Sequence, residues 1–313
     1  MDKIRIAFLG ASHSHASDKI KVVQENSACE LAGVCDDDPQ VRARHSGIRF
    51  LTQRELLGDS TITAVAVESG VKEHARHARL ALDAGKHVHL EKPPAETLAE
   101  FRELVSIAER KHLLMQMGYM WRYNPAINGA LDAARQGRLG DVYLVRAQMN
   151  TLIGADRRPE WGLFHGGQMF EQGAHLIDIV VRLLGRPVKV TPFLRKHGAF
   201  SDDMRDNTVA VLEYPKALAV VSASTLQPNA NAHRFFEILG SKGTAVVRPI
   251  EPPALAIDAG GALSQAKLPP YRRYVGEFAE LASAIRERRP LADTPREDLL
   301  VQETVMRASE MPS

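Results

Sequence analysis

Cysteine is scarce, with two among 313 residues. Cys29 and Cys35 lie in or beside one short apolar segment, and that placement suits small buried hydrophobes better than a disulfide or a redox pair. A chain of this length can bury a sizeable core, so it needs no covalent staple. An excess of one charge is missing too. The 40 Lys and Arg nearly balance the 38 Asp and Glu, for a net charge of +2. Their dispersal speaks against a nucleic-acid groove or an anionic membrane surface as partner. Long apolar runs are absent, and the stretch Met1–Gly10 is too short and too charged for a signal-peptide core. A reducing, cytoplasmic setting is the expectation. The remaining composition, 44% apolar and 25% charged, is that of an ordinary globular protein. There are no repeats and no low-complexity tracts.

The first third alternates strand-like and helix-like signals. Strands are expected at Ile4–Leu9, Leu31–Cys35, Thr63–Val67, His87–Leu90 and Leu113–Met117, and helices around 15–25, 40–46, 74–84 and 95–111. Gly85 stands where a helix C-cap belongs. This rhythm implies parallel βαβ units, that is, an α/β Rossmann-type doubly wound sheet over residues 1–120. From about residue 121 to 313 the rhythm changes. A helix at Asn124–Arg135 precedes a strand at Val142–Leu152, a loop rich in Arg, Pro and Gly, and a long helix at Gln168–Leu184. Strands follow near 188–197, 207–214, 217–226, 234–240 and 243–248, and helices near 274–288 and 295–310 close the chain. This is an α+β domain with a largely antiparallel open sheet, and its last helices are candidates to pack back on the first domain.

The first strand runs into Gly10-Ala11-Ser12-His13-Ser14-His15 and then a helix. A strand, a tight turn and a helix N-terminus place backbone N–H groups and a positive dipole end where a pyrophosphate can sit. Gly10, Ser12, His13 and Ser14 are the candidate cofactor contacts there. Ser12 and His15 occupy two positions that usually hold glycine, so a plain βα turn is the competing reading. Asp36 follows the second strand, where a carboxylate grips a ribose diol and repels a 2′-phosphate. NAD is expected, with NADP kept open by Arg42 and Arg44. A second motif, Gly85-Lys86-His87-Val88-His89-Leu90-Glu91-Lys92-Pro93, ends a strand in Glu-Lys-Pro. Pro93 stops the ladder, and Glu91 and Lys92 then lie past a strand's carboxyl end, the ligand side of such a sheet.

The run Gly-Lys-His-Val-His-Leu-Glu-Lys-Pro resembles the signature of the Gfo/Idh/MocA oxidoreductases, which include glucose–fructose oxidoreductase and inositol dehydrogenases. The likeness extends along nearly the whole chain. Gly118-Tyr119-Met120-Trp121-Arg122-Tyr123-Asn124-Pro125 resembles the start of that family's second domain, and residues 166–178 resemble its active-site helix. His74 matches a histidine that follows a Thr-Pro pair in the family, although Ser69-Gly70 stands here. Glu171 replaces the usual Asp. The resemblance implies Lys92, Glu171 and His175 as the reacting groups, His74 at the cofactor, and a homodimer or homotetramer formed through the open sheet.

The helix at 168–184 can be read from its own residues. It is apolar over most of its circumference, hence largely buried. Its polar residues Glu171, His175, Asp178 and Arg182 recur at helical spacing along one stripe. Such a stripe faces a polar cavity, another chain or solvent. Alcohol oxidation needs a proton acceptor beside a hydride carrier, and histidine titrates near neutrality. Glu171 can orient that imidazole, and Lys92 can polarise the hydroxyl. Tyr119, Arg122, Asp156, Arg157, Arg158, Trp161, His165 and Asp178 are the candidate substrate contacts. No compact histidine–carboxylate set has known ligand spacing, so no metal site is expected. The leading expectation is an NAD(P)-dependent oxidoreductase acting on a hydroxyl or carbonyl of a sugar, polyol or related cyclic compound. The alternatives are a glycosidase or lyase using tightly bound NAD for transient oxidation, and a non-catalytic dinucleotide- or sugar-sensing regulator.

Overall fold

The computed structural model describes residues 3–312 and divides into two units. The first comprises residues up to Met120 together with Tyr274–Leu299, the second Trp121–Arg273 and the residues from Leu300. Its elements run β1 (Ile4–Leu9), α1 (Ala16–Glu25), β2 (Cys29–Cys35), α2 (Pro39–Arg44), α3 (Gln53–Gly58), β3 (Ala64–Val67), α4 (Val71–Asp83), β4 (His87–Leu90), α5 (Leu98–Arg110) and β5 (Met115–Met117). The strands form one parallel sheet in the order β2-β1-β3-β4-β5. Ala64–Val67 is buried throughout, as expected of a strand covered on both faces. Local chemistry sets the helix ends. Thr97 and Glu100 form a capping box, Asp38 caps α2 with Pro39 in its first turn, and Gly85 takes φ +73° after α4. Helix α3, which the sequence reading passed over, starts with its own capping box, Thr52 and Glu55.

The second unit contains α6 (Pro125–Arg135), β6 (Val142–Gln148), α7 (Arg158–Trp161), a π-helical turn (Met169–Gly173) and α8 (Ala174–Leu184). Strands β7 (Lys189–Arg195), β8 (Asn207–Glu213), β9 (Leu218–Ser224), β10 (Phe235–Gly240), β11 (Gly243–Val247), β12 (Leu255–Ala259) and β13 (Ala262–Gln265) follow. They make an eight-stranded sheet, β13-β12-β11-β10-β6-β9-β8-β7, antiparallel except where β6 meets β9. Helices α6 and α8 and the π turn cover one face. The other face carries Phe193, Val209, Val211, Val220, Leu218 and Leu144 in adjacent registers, with Phe193 and Leu218 exposed. Helices α9 (Val275–Glu287) and α10 (Pro295–Ala308) close the chain.

Three differences from the expected elements have local causes. Strands β12 and β13 were not expected, yet Gly260 and Gly261 join them with φ +63° and +79°, the two-residue hairpin that a Gly-Gly pair favours. The strand expected at Val142–Leu152 stops at Gln148, and only Leu152 pairs again, as an isolated bridge to Leu226. The helix expected over 168–184 is not uniformly α: its first turn is π-helical.

Candidate cofactor crevice and polar helix

In the first unit the strand order reverses direction between β1 and β3, and open α/β sheets bind ligands beyond the strand ends at such a point. Gly10 ends β1 with φ +78°, and a Cβ there would lie 2.4 Å from Ser69 Cβ, so any side chain is excluded. The turn that follows is tied down on both sides. Gly10 N donates to Cys35 O (2.8 Å), His13 N to Glu68 O (2.9 Å), and Ala11 N to Asp36 Oδ2 (2.7 Å). Ser12 and Ser14 are exposed on the turn, whereas His13 is buried and His15 half-buried. Asp36 Oδ1 accepts from Asp38 N at 2.9 Å, so the carboxylate is fixed in orientation at the end of β2.

Beneath the turn lies a buried polar cluster that the sequence reading missed. Lys19, on α1, is fully buried and donates to Glu68 Oε1 (2.7 Å), Glu91 Oε2 (2.5 Å) and His89 Nε2 (2.9 Å). His89 then donates through Nδ1 to Gln116 Oε1 (2.9 Å), and Gln116 donates to Glu277 O (3.0 Å). Burial works against the Lys19 charge, but Glu68 and Glu91 hold its pKa above the usual lysine range. One ammonium cannot fully compensate both carboxyls. Burial raises Glu68 to about 8 despite Lys19, whereas Lys19, His15 and His13 overcome burial at Glu91 and hold it well below the usual range. Burial lowers His89 to about 3 and depresses His13, His15 and His74. The sequence disguised this cluster because Lys19 lies on an amphipathic helix and Glu68 just past an apolar strand, positions that usually face water.

His15 fills a position where close packing normally wants a small residue, and its Nδ1 lies 3.2 Å from Glu91 Oε2. His74 sits between two loops: Nδ1 is 2.7 Å from Pro93 O and Nε2 2.8 Å from Ser69 O. Both ring nitrogens therefore face backbone carbonyls, and a neutral ring donates to only one of them. Glu91 Oε1 accepts from Lys92 N (3.0 Å), Lys92 is buried, and the Lys92–Pro93 bond is cis. Gly118 follows β5 closely enough that a Cβ would press on Lys19 Nζ at 3.1 Å, and Tyr119 beside it is buried.

In the second unit the polar stripe is buried: Glu171, His175 and Asp178 are each less than a tenth exposed. Arg122 grips Asp178 through Nε (3.0 and 3.2 Å) and Nη2 (2.5 Å), and the Trp121 and His175 rings approach to 5.6 Å. Glu171 belongs to the π-helical turn, so it does not stand one regular α-turn before His175, and such turns concentrate at functional sites. Gly166 and Gly167 lead into it with no room for side chains; their Cβ atoms would meet Ser309 Cβ at 2.4 Å and Arg205 O at 2.6 Å. Arg158 is not free for a substrate. It is buried against Asp202 (2.5 and 2.8 Å) and Asp206 (2.9 Å). Asp156 and Arg157 are exposed and Trp161 half-buried, with the Arg157 guanidinium 5.6 Å from the Trp161 ring. His165 is exposed beside Glu310 (3.3 Å).

A family model described as the oxidoreductase family with an NAD-binding Rossmann fold matches residues 4–119, and one for the Gfo/Idh/MocA C-terminal domain matches residues 128–246. The chain belongs to the Gfo/Idh/MocA oxidoreductase family. Its first unit is thus an NAD-binding Rossmann domain. The Gly10 turn, the fixed Asp36 carboxylate and the switch-point crevice fit that cofactor. Among relatives, the oxidoreductase YdgJ of Escherichia coli is 26% identical over 84% of this chain and 77% of its own length. Trans-1,2-dihydrobenzene-1,2-diol dehydrogenase of Bos taurus is 28% identical over 61% of this chain, which spans only 56% of that relative. The fold is shared with an oxidoreductase from Agrobacterium radiobacter solved with NAD+, L-tartaric acid and magnesium (TM-score 0.86, 15% identity, 99% and 96% of the two chains). It is shared also with the aldose-aldose oxidoreductase of Caulobacter crescentus complexed with glycerol (TM-score 0.85, 22% identity, 99% and 98%). Among the described residues no helix is long and apolar enough to cross a membrane.

Proposed function

We propose that this oxidoreductase moves a hydride between NAD and a secondary hydroxyl or carbonyl of a sugar, polyol or related cyclic compound. The observation that carries this reading is His175, a buried imidazole on a polar stripe of an otherwise apolar helix. In its support, relatives and fold neighbours include a trans-dihydrodiol dehydrogenase and an aldose-aldose oxidoreductase, named for ring hydroxyls or aldoses. The division of labour is a nucleotide domain over 1–120 and a substrate and self-association domain over 121–313, of which Tyr274–Leu299 groups with the first unit, in a cytoplasmic homodimer or homotetramer. The apolar open sheet face supports self-association, and the free buried thiols Cys29 and Cys35 suit a reducing compartment.

The nicotinamide supplies the hydride acceptor when bound. Gly10, Ser12, His13 and Ser14 would line the turn that holds the pyrophosphate, Asp36 would accept from the ribose diol, and Glu91 fixes the backbone that carries Lys92. His175 takes the hydroxyl proton at an imidazole nitrogen, Lys92 hydrogen-bonds the substrate oxygen, and Glu171 orients the imidazole. Tyr119, Arg122, Asp156, Arg157, Trp161, His165 and Asp178 are the proposed substrate contacts. Arg122 is neutralised by Asp178, an arrangement suited to an uncharged polyhydroxyl substrate rather than an anion.

The test is a screen of cyclic polyols and aldoses with NAD and NADP, followed by His175→Asn. Turnover should fall about 10²–10⁴-fold, the usual worth of a positioned acid–base group, with nucleotide affinity unchanged. Near wild-type single-turnover hydride transfer in this variant would remove His175 from the reaction.

A further inference from the structure

We propose that His13 Nδ1, His15 Nδ1 and Glu91 Oε2 bind a divalent transition ion, zinc in the first instance, at the carboxyl ends of β1 and β4. Glu91 lies far along the chain from the two histidines, so no ligand spacing in the sequence announces the set, but the fold gathers it. One ligand atom from each of the three residues lies within 4.8 Å of the others, and Glu91 Oε2 is 3.2 Å from His15 Nδ1 and 4.0 Å from His13 Nδ1. Tetrahedral zinc with bonds of about 2.0–2.1 Å spaces its ligand atoms by roughly 3.3–3.5 Å, so small side-chain adjustments close the site.

The donors have the right chemistry. A neutral imidazole offers a ring lone pair to a metal ion. Two imidazoles and one carboxylate are a borderline-soft set that favours zinc over magnesium. A carboxylate oxygen accepts twice, so Glu91 Oε2 holds Lys19 through one lone pair and presents the other. The bond from Lys19 is then the outer contact that orients a metal-binding carboxylate. His13 Nδ1 presently accepts a long bond from His15 N at 3.3 Å, a weak contact for an ion to replace.

An independent observation points to the same place. Glu68 is wholly buried, and its Oε2 has no hydrogen-bond partner among the described residues. It lies 4.0 Å from His13 Nδ1, on the ligand side of that ring. A buried carboxylate oxygen left unpaired is costly, and a cation beside His13 removes the cost. Three protein ligands leave a coordination position for water or an anionic oxygen, the pattern of zinc sites that take an exogenous ligand.

The test uses the full-length untagged chain, stripped with a chelator and dialysed. Zinc is titrated by calorimetry, and Co2+ by the visible bands of four-coordinate cobalt, with no nucleotide present. One ion per chain is expected, with magnesium showing no binding. His15→Ala and His13→Ala should each weaken zinc at least about tenfold, and the double variant should abolish the cobalt bands. His112→Ala, a surface histidine, should change neither. His15 is half-buried, so its variant retains the fold even if Glu91→Gln does not. Equal binding by wild type and His13→Ala/His15→Ala, or no stoichiometric binding, overturns the proposal. NAD titrated separately into the stripped chain tests the cofactor reading independently.

Discussion

Replacing Lys19 with methionine removes the one ammonium that holds Glu68 and Glu91 together beneath the nucleotide turn, while keeping an unbranched side chain of similar length. All three groups are fully buried, and the two ion-pair contacts are 2.7 and 2.5 Å. Removing one partner of such a cluster leaves buried charge uncompensated, at a cost of about 3–5 kcal/mol. For a unit of this size that is a fall in Tm of about 6–20 °C. The pH dependence gives the reasoning its sharper test. Glu68 titrates at about 8 in the folded chain against 4.5 as its ordinary value. A carboxyl raised in this way contributes stability fully present below its unfolded pKa and lost as pH rises through the folded one. In the Lys19→Met variant no ammonium opposes burial at either carboxyl, so both shift upward and the deficit widens with pH. Thermal and denaturant unfolding of both proteins at about pH 5 and about pH 9 should show the larger gap at the higher pH. Adding Glu91→Gln to the variant should recover part of the loss, because it removes a buried charge rather than stranding one. A loss under about 1 kcal/mol, equal at both pH values, would show that the cluster is not held by this charge balance.

Three further outcomes follow from the two units. Asp36→Ala should narrow the preference for NAD over NADP by deleting the diol acceptor and the repulsion of a 2′-phosphate; titration of both nucleotides checks it, and a wild type that prefers NADP refutes the assignment. Gly10→Ala places a Cβ 2.4 Å from Ser69 Cβ at φ +78°, and should cost at least about 1–3 kcal/mol and displace the turn, seen as lower Tm together with weaker nucleotide binding. Arg122→Leu removes the guanidinium that pairs with the buried Asp178 and should destabilise the second unit by about 3–5 kcal/mol, read by chemical denaturation, whereas Arg122→Leu with Asp178→Leu should recover much of that.

The fold was legible because its signals are local. Short β-rich runs such as Ile4–Leu9 and His87–Leu90 appear as strands with the bounds the sequence suggested, since both carry apolar residues at alternate positions and are closed by Gly10 or Pro93. What escaped was also local but weaker: the Thr52 capping box that starts α3 and the Gly260-Gly261 turn that makes the last hairpin both carried recognisable signals in short, polar surroundings.

The candidate site was legible only where chemistry and backbone geometry coincide. Gly10, Asp36 and the Glu91-Lys92-Pro93 stop announce themselves because a turn, a strand end and a proline each constrain the chain. Lys19, Glu68 and His89 do not, because their meaning comes from positions 49 to 72 residues apart in sequence. Periodicity likewise placed Glu171, His175 and Asp178 on one buried stripe, yet it could not reveal the π-helical turn. Gly166 and Gly167 lead into that turn and Gly173 ends it, where an added Cβ would fall 2.4 Å from Met169 Sδ. The wider turn sets Glu171 off the regular α-helical position relative to His175. The placement of the proposed orienting carboxylate beside the proposed proton acceptor therefore departs from what a regular helical period gives.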